Sequence, residues 1–361
     1  MVDLSWYKGR KVLITGHTGF KGTWLTRMLL NAGAIVTGYS LTPPTDPSLF
    51  EMSGVEDKIT HVTGDVRDID HMQKVFSETE PEIVLHLAAQ PIVRDSYKDP
   101  RYTYETNVMG TVNLLECVRN TPSVKSVVNV TTDKVYLNEE RQEGYREDEK
   151  LDGFDPYSNS KSCSELVTHS YKRSFFTPDM EKGIRTVAVS TARAGNVIGG
   201  GDFANDRIVP DCVRAVSAGK KLEVRNPYSV RPYQHVLEPL LVYLTIAMKQ
   251  EIDPSYQDYY NVGPNDEDTV TTGELADLFK SCWGEGFDWE DKSEADAPHE
   301  AGLLRLNCGK IKKVFSWKAT WNIEEAIRKT VEFSRVYLDG GDIPCEMDRQ
   351  INEFLKEATY G

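Results

Sequence analysis

The sequence lacks the spacings that hold metals or disulfides. Its six cysteines, at 117, 163, 212, 282, 308 and 345, are far apart and form no Cys-x-x-Cys pair. That excludes a zinc knuckle and a disulfide framework and reads as buried or idle thiols in a reducing compartment. The seven histidines are scattered, with no His-Glu-x-x-His pattern, so no metal site is expected. Positive charge is in deficit: 42 Lys and Arg against 56 Asp and Glu leave a formal net charge of −14. An acidic surface disfavours nucleic acid and anionic membranes as partners, although a local basic pocket could still take an anionic small molecule. No apolar run approaches the ~20 residues that span a bilayer. The start, MVDLSWYKGRKVLITG, has no long apolar segment before a cleavage site, so a cytoplasmic chain without a signal peptide is expected. There is no internal repeat, low-complexity tract or flexible linker.

What is present is globular: 361 residues, 39% hydrophobic and 27% charged, enough for one large or two ordinary domains. Apolar, β-branched runs at 11–16, 35–40, 59–65, 83–89, 126–132 and 186–192 alternate with amphipathic segments at 23–32, 68–78, 102–119 and 157–173. A later run at 259–263 has the same character. Near-continuous apolar strands separated by helices predict an α/β fold, a doubly wound parallel sheet buried on both faces. After about Arg193 the pattern changes, with glycines at 199–201, Asn-Pro and Arg-Pro breaks, and short helices at 324–337 and 346–356. This predicts a smaller mixed α/β lobe. The expected division is 1–195 with 231–263 for a dinucleotide-binding domain, and 196–230 with 264–361 for the lobe. Charged stretches at 139–150 and 285–300 are expected to be exposed.

Gly16-His17-Thr18-Gly19-Phe20-Lys21-Gly22 follows the first strand and opens a helix. The first glycine permits a tight turn, the second a close approach of backbone to a pyrophosphate, and the third close helix–strand packing. Free N–H groups at the helix start then meet phosphate. His17 is expected to shape the turn. The second strand ends Tyr39-Ser40 without the acid usual for NAD or an arginine for a 2′-phosphate, so the motif leaves NAD and NADP both open. Asp65 and Val66 follow the third strand, where an adenine would lie; an ordinary strand-end turn fits as well. Leu87, Ala88 and Ala89 at the fourth strand end, and Asn107, complete the expected cofactor contacts.

Tyr157-Ser158-Asn159-Ser160-Lys161 spaces a phenol and an ammonium four residues apart, on one helix face. A nearby cation lowers a phenol pKa, and a phenolate can take a hydroxyl proton while hydride leaves the same carbon. The fifth strand ends Thr131-Thr132-Asp133-Lys134, delivering hydroxyl, carboxylate and ammonium to the crevice at the carboxyl ends of the strands.

On ITGHTGFKGTWL, LAAQPIVRDSY, ETNVMGT, VTTDKVY, DPYSNSKSCSEL, ARAGNVIGGGDFANDRIVPD and RPYQHVLEPL, the chain resembles the extended short-chain dehydrogenase/reductases, and among them the nucleotide-sugar 4,6-dehydratases, most narrowly the branch acting on CDP-glucose. The resemblance covers nearly the whole chain. Related dTDP-glucose enzymes carry Asp-Glu where this chain has Asp133-Lys134, and 4-epimerases lack the acid. The resemblance implies a Rossmann fold, bound NAD, and a redox-neutral reaction. Tyr157 takes the 4-hydroxyl proton, hydride leaves C4 and returns to C6, and water is lost across C5 and C6. Thr132 would hydrogen-bond the 4-oxygen and Asp133 would protonate the 6-hydroxyl. Lys134 would be either the C5 base or a cation stabilising the enolate, and Lys161 would orient Tyr157 and the nicotinamide ribose. Arg94, Ser96, Arg193, Asn196, Arg207 and Arg231 fall in segments expected to meet the nucleotide sugar, with Arg231 the foremost diphosphate ligand. A homodimer or dimer of dimers through 102–119 and 157–173, and a place in deoxysugar and lipopolysaccharide O-antigen synthesis, are further implications. A 4-epimerase, a dehydratase acting on another nucleoside-diphospho-glucose and a non-enzymatic dinucleotide sensor are the rival readings.

Overall fold

The computed structural model describes residues 3–177, 186–293 and 303–359. Among these, twelve strands run in order: β1 (Lys11–Thr15), β2 (Ile35–Ser40), β3 (Thr60–Thr63), β4 (Ile83–His86), β5 (Ser126–Thr132), β6 (Ala188–Ala194), β7 (Asn196–Ile198), β8 (Leu222–Val224), β9 (Val230–His235), β10 (Tyr259–Val262), β11 (Thr269–Thr271) and β12 (Trp289–Asp291). Seven form one sheet in the order β10-β6-β5-β4-β1-β2-β3, with every pair parallel. The order reverses between β1 and β4. In an open α/β sheet such a reversal opens a crevice at the carboxyl strand ends.

The two faces of the sheet carry separate cores. Trp24, Leu25, Met28, Leu240, Leu241, Leu244 and Phe354 pack against Ile14, Leu85 and Val128 on one face. Met72, Phe76, Leu114, Leu115 and Val118 pack against Leu13, Val84 and Val127 on the other. Alternate residues of β1 thus face opposite cores, which is why its run reads apolar throughout.

The helix Pro156–Tyr171 starts where chemistry dictates. Asp155 accepts the Ser158 amide at 3.0 Å, and Pro156 occupies the first turn. Its sheet-facing side is Ser160, Ser164 and Thr168, all buried. Small polar residues let it approach β5, where the Asn129 amide donates to Ser164 and Thr168 at 3.0 and 2.9 Å.

Beyond β6, β7, β9 and β11 form a three-stranded mixed sheet, and β8 pairs with β12. The helices Ile208–Ser217, Thr272–Trp283 and Ile323–Leu338 cover these strands with their own core of Val209, Leu275, Phe279, Ile327 and Val331. The last helix, Ile343–Glu357, returns to the large sheet and packs beside Phe20–Asn31, where Arg27 pairs with Asp348 at 2.5 Å. The stretch 139–150 is largely exposed. Of the stretch 285–300, residues 294–300 lie outside the described residues. No described helix is long and apolar enough to cross a membrane. Among the described residues no cluster of His, Cys, Asp and Glu is arranged to hold a metal ion.

Candidate active site

The turn after β1 is a cradle that side chains would fill. Gly16 has φ +79°, and a Cβ there would lie 2.7 Å from the Ala88 nitrogen. A Cβ on Gly22 would lie 2.1 Å from the Gly16 carbonyl oxygen. Gly19 caps the helix Phe20–Asn31, where an added Cβ would meet only the Gly16 carbonyl oxygen at 3.5 Å; no side chain caps that helix, and its first turn carries no acid. The helix start therefore presents unclaimed N–H groups to an anion, the fit a dinucleotide pyrophosphate requires. Thr18 and Ser40 hydroxyls meet at 2.8 Å at the edge of the cradle. The backbone after β4 closes it, with the Leu87 amide on the Thr15 carbonyl at 3.1 Å and the Ala88 amide on the Thr15 hydroxyl at 3.2 Å; Ala89 follows on the same loop.

Several residues expected at the cofactor are otherwise engaged. Tyr39 is fully buried, its ring lies against Gly64, and its hydroxyl donates to the Asp65 carbonyl at 2.9 Å. Only its backbone reaches the cradle, accepting the Gly16 amide at 3.0 Å. The Asp65 carboxylate is forked by Arg67 at 2.6 Å, which holds it below the usual carboxylate range. Val66 packs against Gly110. Asn107 is buried and spends its amide on Gln90 and on the Ser160 hydroxyl, stapling the loop after β4 to the helix bearing Tyr157. His17 meets His61 at 2.7 Å, and Gly38 is required beneath its ring, because a Cβ there would lie 2.4 Å away. Burial holds His17 down at about 3, so the ring is neutral.

The chemistry collects at the end of β5. Thr132 accepts the Lys134 amide at 3.4 Å, capping the turn, and its own hydroxyl donates to Asp133 Oδ1 at 2.9 Å. Lys134 Nζ pairs with the same oxygen at 3.3 Å. Asp133 is fully buried and its Oδ2 has no protein partner. That oxygen faces Gly195, where a Cβ would come within 3.2 Å. Tyr157 is half-buried at the same strand end.

Burial raises the Tyr157 pKa, and Lys134 and Thr132 oppose it. This differs from the expectation that Lys161 is the acting cation. Lys161 Nζ is anchored on the Val130 carbonyl at 3.2 Å, and burial together with Lys21 brings it down to about 8. Lys134 also has burial working against its charge, but Asp133 and Tyr157 outweigh that and hold it above the ordinary lysine value. It is an ammonium here rather than a free base. Lys21, from the glycine turn, shares the crevice, where burial and Arg207 bring it down to about 8.

The substrate-side residues divide. Arg207 pairs with buried Asp202 at 2.8 Å and acts electrostatically on Tyr157 and Lys21. Arg231 on β9 donates to the Val230 carbonyl at 2.9 Å and acts on Lys134. Asn196 opens β7 beside Tyr233 of β9. Arg94 is exposed and reaches across to Asp206 at 3.0 Å. Ser96 is fully buried and donates to the Val93 carbonyl at 2.6 Å, a bond within its own helix.

Arg193 is a correction. It is fully buried on β6, with its guanidinium on Glu165 at 2.9 Å and on the Tyr136 hydroxyl at 2.8 Å. It faces the helix Pro156–Tyr171 rather than the crevice, because successive strand residues point to opposite faces. Glu165 also accepts from Thr191 at 2.7 Å and Thr131 at 2.5 Å. Glu165, one turn beyond Lys161, was missed; its spacing of eight from Tyr157 was the available signal.

A phosphate cradle at the crossover and a Tyr-x-x-x-Lys helix beside a Thr-Asp-Lys strand end define a short-chain dehydrogenase/reductase of the extended kind. The family described as GDP-mannose 4,6 dehydratase matches residues 13–330, and the chain belongs to it. The chain is 43% identical over 360 residues to the CDP-glucose 4,6-dehydratase of Salmonella typhimurium, covering 99% of this chain and 100% of the relative. Two solved structures share the fold. The UDP-glucose 4-epimerase of Thermotoga maritima has a TM-score of 0.75 at 22% identity, covering 91% of this chain and 99% of that one. The dTDP-glucose 4,6-dehydratase of Bacillus anthracis has 0.72 at 22%, covering 91% and 97%.

Proposed function

We propose that the chain converts CDP-glucose to CDP-4-keto-6-deoxyglucose and water, with NAD held in the glycine cradle. The carrying observation is Asp133, a buried carboxyl with one free oxygen in the crevice that holds Tyr157. An epimerase acting at C4 has no use for that acid, whereas loss of the 6-hydroxyl requires one. The full-length relative supports CDP-glucose as the substrate, and the unclaimed helix start with Thr18, Ser40 and Lys21 suits the dinucleotide.

Bound NAD supplies a two-electron acceptor for hydride from C4 and donor of it to C6. Tyr157 takes the proton of the 4-hydroxyl. Thr132 holds the 4-oxygen. Asp133 protonates the departing 6-oxygen. Lys134, as an ammonium, stabilises the enolate formed when C5 loses its proton. Lys161 orients Tyr157 and the nicotinamide ribose, while Arg207 and Arg231 take the diphosphate through planar paired donors. Residues 1–195 with 231–263 serve the dinucleotide and 196–230 with 264–361 the nucleotide sugar. The enzyme works in the cytoplasm as a homodimer, through the segments 102–119 and 157–173, and feeds deoxysugar synthesis.

The test is incubation with CDP-, dTDP-, UDP- and GDP-glucose, each deuterated at C4. CDP-glucose should yield a 4-keto-6-deoxy sugar with the label on its methyl group. Label lost to solvent, or an epimer as product, refutes the reading.

A further inference from the structure

His86, the last residue of β4, is buried and has no part in the chemistry described above. It stands between the two halves of the site. Its Nδ1 meets the Thr15 hydroxyl at 2.7 Å, and its Nε2 meets the Thr111 hydroxyl at 3.4 Å. Thr15 ends β1 just before the glycine turn, and its hydroxyl accepts the Ala88 amide at 3.2 Å. Ala88 lies on the loop that closes the cradle, where a Cβ on Gly16 would come within 2.7 Å of its nitrogen. Thr111 lies on the helix Gly110–Asn120. Its hydroxyl donates to the Asn107 carbonyl at 2.8 Å and meets the hydroxyl of Ser164, on the helix of Tyr157 and Lys161, at 2.9 Å. Thr15, Thr111 and Ser164 are buried like His86.

Counting protons fixes the direction of the chain. Thr111 spends its one proton on Asn107, so its two lone pairs face Ser164 and His86. Both of those must donate. Ser164 can, because it accepts the Asn129 amide at 3.0 Å and keeps its own proton to give. His86 can only as the tautomer with its hydrogen on Nε2. Nδ1 is then an acceptor and takes the Thr15 proton, while Thr15 takes the Ala88 amide. The other tautomer would set Nε2 and Thr111 lone pair to lone pair. Burial, with Lys161 nearby, brings the His86 pKa down to about 3, so the ring is neutral.

Resting on the reading of Tyr157 as the base in C4 oxidation, we propose that His86 is a positioning residue: it couples the loop that closes the cofactor cradle to the helix carrying Tyr157 and Lys161. The Thr15 contact holds the loop at Ala88. The Thr111 contact holds the helix at Ser164. One rigid ring joins them, so the backbone that closes on the dinucleotide and the phenol that takes the 4-hydroxyl proton keep a fixed spacing. A slip of about 1 Å between reacting groups costs on the order of 10²-fold in rate. The two ring nitrogens are distinct, one accepting and one donating, so an amide side chain in place of the ring serves only one end of the chain.

The experiment compares the whole enzyme with His86→Asn, His86→Gln and His86→Phe. The asparagine oxygen stands near the Nδ1 position and keeps an acceptor for Thr15. The glutamine amide reaches toward Nε2 and keeps a donor for Thr111. Phenylalanine keeps a ring and loses both contacts. NAD affinity is read by fluorescence titration and stability by Tm. C4 oxidation is read as reduced-nicotinamide absorbance on rapid mixing with CDP-glucose at saturating NAD. His86→Gln should weaken NAD by about tenfold, more than it slows oxidation. His86→Asn should slow oxidation by about tenfold or more, beyond its loss of NAD affinity. His86→Phe should do both; if it does not fold, the two amide variants carry the test. Nitrogen NMR of labelled histidine should show wild-type His86 neutral, with its proton on Nε2. A proton on Nδ1 overturns the coupling, and so do His86→Asn and His86→Gln variants that lose affinity and rate in one proportion that follows Tm. A wild type that reduces no nicotinamide with CDP-glucose overturns the dehydratase reading instead; the NAD titration and the NMR, which need no sugar, then still decide the role of His86.

Discussion

Replacing Arg193 with Met should cost more stability than any exposed arginine could. The guanidinium and the Glu165 carboxylate are both fully buried and 2.9 Å apart. Burial alone would raise the Glu165 pKa, but Arg193, the neighbouring His169 and the hydrogen bonds from Arg193 and Thr131 bring it from 4.5 down to about 2. That difference corresponds to about 3 kcal/mol of folded-state stability. It agrees with the roughly 3–5 kcal/mol lost when one partner of a buried pair is removed. The folded pKa lies below the unfolded one, so the contribution is complete above about pH 4.5 and disappears as pH falls toward 2. Urea unfolding followed by far-ultraviolet circular dichroism from pH 7 to acid, a window on the order of 5 units wide, is the assay. Wild type should lose this increment in the acid range. Arg193→Met should start lower at neutral pH and converge on wild type as Glu165 is protonated in both. Arg193→Met/Glu165→Leu should recover part of the loss, since no buried charge is then left alone. A single-variant loss under about 1 kcal/mol, or parallel acid profiles, refutes the account.

Three further outcomes follow from the same geometry. Gly22→Ala should abolish dinucleotide binding in a fluorescence titration, since its Cβ would sit 2.1 Å from the Gly16 oxygen; the strain should also cost about 1–3 kcal/mol of stability. Lys134→Gln removes the main cation opposing burial at Tyr157, so the acidic limb of the rate profile for C4 oxidation should move to higher pH, with a rate loss at neutral pH on the order of 10²-fold. Asn107→Ala should free the loop after β4, held at Gln90, from the Ser160 helix, lowering kcat and weakening the cofactor together, as measured by steady-state kinetics and cofactor titration.

The parallel sheet was legible because both its faces are covered. Strands such as β4, buried at all four positions, leave an apolar run, Ile83-Val84-Leu85, that no surface strand would have. The glycine turn was legible for a steric reason, since no other residue fits at Gly16 or Gly22. The three-stranded sheet of the lobe was not foreseen: β7 and β11 have three residues each, too few to show a period. Side-chain direction was the other gap. Tyr39 and Arg193 stand at strand ends near the crevice, but a shift of one residue turns a side chain to the opposite face. Sequence spacing alone does not say that Tyr39 turns toward Gly64 or Arg193 toward Glu165.

Charge poses a conflict that ionic strength can resolve. The chain carries −14 overall, which should repel a dianionic nucleotide sugar, and salt screening of that repulsion would lower KM. The crevice has the opposite sign: Lys21, Lys134, Lys161, Arg207 and Arg231 act there against the two buried carboxylates Asp133 and Asp202. Local attraction acts over a few ångströms, within even the ~8 Å screening length of physiological salt, but its outer reach shrinks from ~30 Å at 0.01 M. If the crevice dominates, raising salt from ~0.01 to ~0.3 M should increase KM several-fold. kcat should hold steady, because the enclosed pair of Asp133 and Lys134 is little screened. A KM that falls with salt means the acidic surface governs encounter, and the cation cluster then serves the chemical steps rather than capture.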